Sequence, residues 1–84
     1  MASKKDLKKA IKQMVFEVVE EGFTIQLLDE TKKEASEKLI NDAIVYLNEA
    51  VSEINLAKDK ATFKAIEEKA EQKADQWIET LNKL

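Results

Sequence analysis

The sequence predicts an all-α fold: an antiparallel up-down-up three-helix bundle forming one domain over residues 1–84. Three observations carry this. The chain has no proline and a single glycine, Gly22, so little interrupts helical backbone. Apolar residues recur at spacings of three and four, the period of one helical face. The period breaks twice, which leaves helices at about 4–21, 32–56 and 60–83, an apolar connector at 22–30 and a short link before residue 60.

The first helix opens with Ser3-Lys4-Lys5-Asp6, a hydroxyl followed three residues later by an acid, which is a variant of the capping box. Leu7, Ala10, Ile11, Met14, Val15, Val18 and Val19 form its apolar face, and Phe16 lies on the opposite side from Leu7. Gly22 reads as a C-terminal stop, ending the helix near Glu21. The stretch Phe23-Thr24-Ile25-Gln26-Leu27-Leu28 fits an apolar hook, a short helical turn or a continuation through Gly22. Alternation at Phe23, Ile25 and Leu27 resembles a strand, but one without a partner. The simplest expectation is a connector that plugs one end of the core.

Thr31-Lys32-Lys33-Glu34 reads as a capping box opening the second helix. Its stripe of Ala35, Leu39, Ile40, Ala43, Ile44, Leu47, Ala50, Val51 and Ile54 covers close to half the circumference, enough to meet two neighbours. Asp59 is the expected N-cap of the third helix. There Phe63, Ile66, Ala70, Trp77, Leu81 and Leu84 form a narrow seam, flanked by Ala74 and Ile78.

Composition restricts the chemistry. Histidine, cysteine and arginine are absent, which removes the usual general base, the thiol nucleophile, soft metal ligands and the bidentate guanidinium clamp. One glycine cannot make a phosphate-cradling loop. The expectation is no enzyme, no catalytic residue, no metal site and no cofactor. Ser3, Ser36 and Ser52 lack the Asp-Ser-Leu context of an acyl carrier, and no base accompanies them as nucleophiles. Glu71 and Asp75 share a helical face, but acids spaced from lysines, as in Glu34–Lys38 and Lys64–Glu68, read as a solvated salt-bridged surface.

Fourteen lysines against 17 acids leave a net charge of −3, which argues against general nucleic-acid affinity. The opening MASKKDLKKAIK lacks a secretion signal's apolar core, and no apolar run reaches bilayer-spanning length, so the expected location is cytoplasmic. At 84 residues, with neither disulfide nor metal, stability must come from helix packing or self-association.

Two surface features remain. Lys4, Lys5, Lys8, Lys9 and Lys12 make a basic strip, a candidate anion-binding site; an up-down-up bundle would add Lys58, Lys60 and Lys64 at the same end. Glu17, Glu20, Glu21, Asp29, Glu30 and Asp75 would gather at the other end. Phe16, Phe23, Ile25, Val45, Tyr46 and Leu56 fall off or beside the stripes and form the candidate interaction surface.

The segments KKDLKKAIKQ, VFEVVEEGFT and FKAIEEKAEQKADQWIETLNKL resemble a group of short all-helical bacterial proteins of the Bacteroidetes kind, to which no activity is assigned. In that group the second connector is longer and contains Asn-Pro and Gly, where this chain has NLAKDK. The resemblance implies a helical fold and bacterial origin. Together the observations point to a non-catalytic protein-interaction or assembly module. A homodimer through helix 1 and the Phe23–Leu28 segment is one form of it, and the partner is otherwise unspecified. The alternative is a weak electrostatic binder of nucleic acid, acidic protein or lipid headgroups through the lysine strip.

Overall fold

A computed structural model describes residues 4–84. The expected capping residue Ser3 lies outside them. Three helices, α1 (Lys4–Leu28), α2 (Lys33–Leu56) and α3 (Lys60–Lys83), form an all-α up-down-up bundle, elongated at 45 × 17 × 16 Å, with no strand among the described residues.

The second and third helices fall where the sequence places them, but the first does not stop at Gly22. It continues to Leu28, so the expected connector over 22–30 is largely helix. Gly22 has no positive φ and is not a C-terminal stop. It is buried in mid-helix, where a Cβ would stand 2.7 Å from Ile40 Cγ1 and 3.7 Å from the Ser36 carbonyl oxygen. Its missing side chain therefore serves close approach between α1 and α2 rather than chain reversal. The neighbouring α2 positions suit such an approach: Ser36, Ala43 and Ala50 are small and buried. Ser36 tolerates complete burial because its hydroxyl donates to the Lys33 carbonyl within its own helix, at 3.0 Å.

The first reversal is tight. Asp29 adopts extended backbone, then Glu30–Lys32 form one 3-10 turn leading directly into α2. The capping role expected of Thr31 belongs to Asp29. Its Oδ1 accepts from the Thr31 N–H at 3.0 Å and the Thr31 hydroxyl at 2.6 Å, which holds its carboxyl below the usual aspartate range. Asp59 is the N-cap of α3 as expected. It accepts from the Thr62 N–H at 2.8 Å, and its carboxyl is likewise lowered.

The core draws Leu7, Ile11, Val15 and Val18 from α1, Leu39, Ala43, Ala50 and Ile54 from α2, and Ile66, Ala70 and Trp77 from α3. Tyr46 belongs with them. It is only 5% exposed, so the expectation that it stands on an interaction surface is corrected. Its ring meets Trp77 edge-on, with centroids 5.5 Å apart. Ile44, expected in the stripe of α2, and Ile78, expected to flank the seam of α3, are instead substantially exposed.

Gly22→Ala tests the close approach. Alanine favours helix by about 1 kcal/mol, while a clash with a branched core side chain costs about 1–3 kcal/mol. The substitution should therefore destabilise the wild type in urea unfolding. In an Ile40→Ala background the obstruction is gone, and the same substitution should stabilise by up to about 1 kcal/mol. An unchanged sign in both backgrounds would show that Gly22 is not held by Ile40.

Candidate interaction surface

Because α1 runs unbroken through Gly22, residues on either side of it share one helical register. At about 100° per residue, Lys5, Lys9, Lys12, Phe16, Glu20, Phe23 and Leu27 fall within an arc of about 80°. This arc lies almost opposite the buried face of Leu7, Ile11, Val15, Val18 and Gly22. It is the outward face of the bundle. Phe16 is 61% exposed, Phe23 52% and Leu27 86%. The stripe is basic in its first half and predominantly apolar in its second.

The other sequence candidates go elsewhere. Ile25 is half-buried, on the side of α1 turned toward the bundle. Val45 and Leu56 are exposed, but on α2, away from the α1 stripe. Leu27 and Leu28 are among the most exposed large apolar residues, so they do not plug the core as a connector over 22–30 would.

The lysines also divide. Lys4 Nζ donates to the Asn55 carbonyl at 3.2 Å, placing a cation at the C-terminus of α2, where the helix dipole favours it. That contact joins the start of α1 to the α2–α3 junction and puts Lys58 and Lys60 at the same end. Lys8 is half-buried, while Lys5, Lys9 and Lys12 stand exposed on the outer stripe. Lys69 pairs with Glu53 at 3.6 Å and Lys83 with Glu79 at 3.4 Å, whereas the expected Glu34–Lys38 and Lys64–Glu68 pairs do not form. All four residues of the expected pairs are exposed, where ion pairs contribute little.

A concavity of about 670 Å³ runs between α2 and α3 over Tyr46 and Trp77. Lys73 Nζ lies 6.0 Å from the centre of the Tyr46 ring, at the outer limit of a cation–π contact. The Tyr46 hydroxyl is buried without a hydrogen-bond partner. Burial pushes the phenol's pKa up, and the Glu53 carboxylate adds to the rise. Among the described residues no group of three or more acidic side chains converges to hold a metal ion, and no helix is long and apolar enough to cross a membrane.

No family model, curated protein or solved structure matches this chain.

Tyr46 and Trp77 are the chain's only tyrosine and tryptophan, so the groove can be followed spectroscopically. The phenol should titrate above its ordinary value of 10.0, with phenolate formation quenching the adjacent Trp77 fluorescence. The unfolded chain ionises first, so stability should fall as pH rises above about 10, until the folded phenol also ionises. Tyr46→Phe should remove that alkaline loss. At neutral pH it should be neutral or stabilising by about 1 kcal/mol, because it removes an unpaired buried hydroxyl. A phenol titrating at its ordinary value would contradict this burial.

Proposed function

We propose that this chain is a non-catalytic protein-interaction or assembly module that engages its partner through the outer stripe of α1. The observation that carries this reading is the alignment of Phe16, Phe23 and Leu27 along one solvent-facing line. Single exposed apolar residues are ordinary, but aromatic residues aligned on one face have the composition of interface anchors. The chain's chemistry supports the non-catalytic part. Histidine, cysteine and arginine are absent, and the only phenol is committed to the core.

Position-specific photo-crosslinkers test the surface in cells that make the protein. Substituted at Phe16 and Phe23, they should give discrete adducts. At Ser52 and Gln72, exposed on other helices, they should give none. Equal yields at all four positions, or no adducts at 16 and 23, would overturn the assignment.

Lys5, Lys9 and Lys12, exposed on the same stripe, support the second reading, docking on an anionic surface. That reading requires binding to anionic vesicles or polyanions that weakens steeply with salt and disappears when the three lysines become Gln. Absence of binding at low ionic strength removes it.

A further inference from the structure

We propose that the partner of this stripe is a second copy of the same chain, docked with the two α1 helices antiparallel and Phe16 on the two-fold axis. The inference rests on the reading of α1 as the interaction face and adds the occupant and its register.

The charge order of the helix selects the direction. Lys4, Lys5, Lys8, Lys9 and Lys12 occupy the first half of α1, and Glu17, Glu20 and Glu21 the second. Phe16, Glu17 and Glu20 line one shallow surface with those lysines. Parallel pairing would set lysine against lysine and glutamate against glutamate along the whole contact. Antiparallel pairing sets each basic half against an acidic and apolar half, and it does so twice by symmetry.

The spacing selects the register. Phe16 is the midpoint of the stripe, as far from Lys12 as from Glu20, from Lys9 as from Phe23, and from Lys5 as from Leu27. With Phe16 packed on its own copy, Lys12 stands opposite the partner's Glu20, and Lys9 lies one turn further along. The aliphatic stems of Lys5 and Lys9 then cover the partner's Leu27 and Phe23, with the ammonium groups reaching water. The interface is self-complementary without adjustment of the fold. A contact built on one helix from each copy lies at the small end of specific interfaces, so association in the micromolar range is expected.

Charge reversal tests both direction and register. The wild type should self-associate in sedimentation equilibrium at low salt. Glu20→Lys alone, and Lys9→Glu with Lys12→Glu alone, should each raise the dissociation constant by about tenfold or more. An equimolar mixture of the two variants should associate again, because both symmetry-related clusters then pair opposite charges. Every substitution is on an exposed helical face, and circular dichroism checks that each variant remains helical. Phe16→Cys, in a chain otherwise free of cysteine, should oxidise to a symmetric disulfide faster than Leu28→Cys, at the end of the same helix.

A mixture that stays monomeric, variants that associate like the wild type, or equal oxidation at positions 16 and 28 would overturn the pairing. So would a wild type that is monomeric at high concentration. If photo-crosslinks at 16 and 23 to a different protein persist in that case, the α1 surface stands and only the self-pairing fails. If they are also absent, both fail.

Discussion

The close approach of α1 to α2 at Gly22 is the constraint from which the rest of the bundle follows. A glycine in mid-helix forfeits about 1 kcal/mol relative to alanine. Here it also admits the Ile40 side chain into space that any Cβ would occupy. Ser36, with its hydroxyl returned to its own helix, and the buried Ala43 and Ala50 keep the facing surface of α2 shallow. The two helices therefore pack as the tightest pair in the molecule, and their shared burial is gained only if α1 remains helical on both sides of Gly22.

The third helix meets this pair under different conditions. Large side chains separate α2 from α3: Tyr46 and Trp77 fill the gap edge to face, and Lys73 lies across the tyrosine ring. The phenol is carried inward with the ring it belongs to and leaves its hydroxyl unsatisfied. The aromatic pair thus supplies apolar area at a polar cost. That cost is tolerable because T-shaped contact and dispersion act over the whole ring, whereas the penalty falls on one oxygen. It also explains why Tyr46 breaks the simple stripe of α2. A helix touching two neighbours has a buried arc wide enough to include a residue that a single seam would leave outside.

The sequence legibly encodes what depends on period and on caps. Asp59 can be found from its position before a run of helix formers, and the seam of α3 from steps of three and four. Gly22 misleads because the same lack of a side chain suits a helix stop and a helix crossing. Only the identity of what packs against it, Ile40 from a distant part of the chain, distinguishes the two. The misplaced end of α1 then propagates to the candidate surface. With the helix stopped at Glu21, Phe16 and Phe23 have no fixed angular relation, and Leu27 becomes a plug. With the helix continuous they form one line. Thr31 misleads for a smaller reason: its hydroxyl and N–H both serve Asp29, two residues earlier, which begins the 3-10 turn before α2 can be capped in the usual way.

The stripe on α1 also departs from what the helix alone would favour. In the first turn of α1, Lys4 and Lys5 face the positive end of the helix dipole, with the acid Asp6 beside them, and the last turn carries no basic residue. For Lys4 the deficit is offset by the C-terminal carbonyl it reaches on α2. Lys5, Lys9 and Lys12 stand exposed on the outer face. Phe16, Phe23 and Leu27 lose further free energy by leaving apolar surface in water. The exposed lysines and the exposed apolar residues fall on the same narrow arc of the same helix, while the opposite arc of α1 forms the buried face. Where a sequence is otherwise consistent from cap to core, residues that packing leaves in water stand out, and on α1 they share one arc.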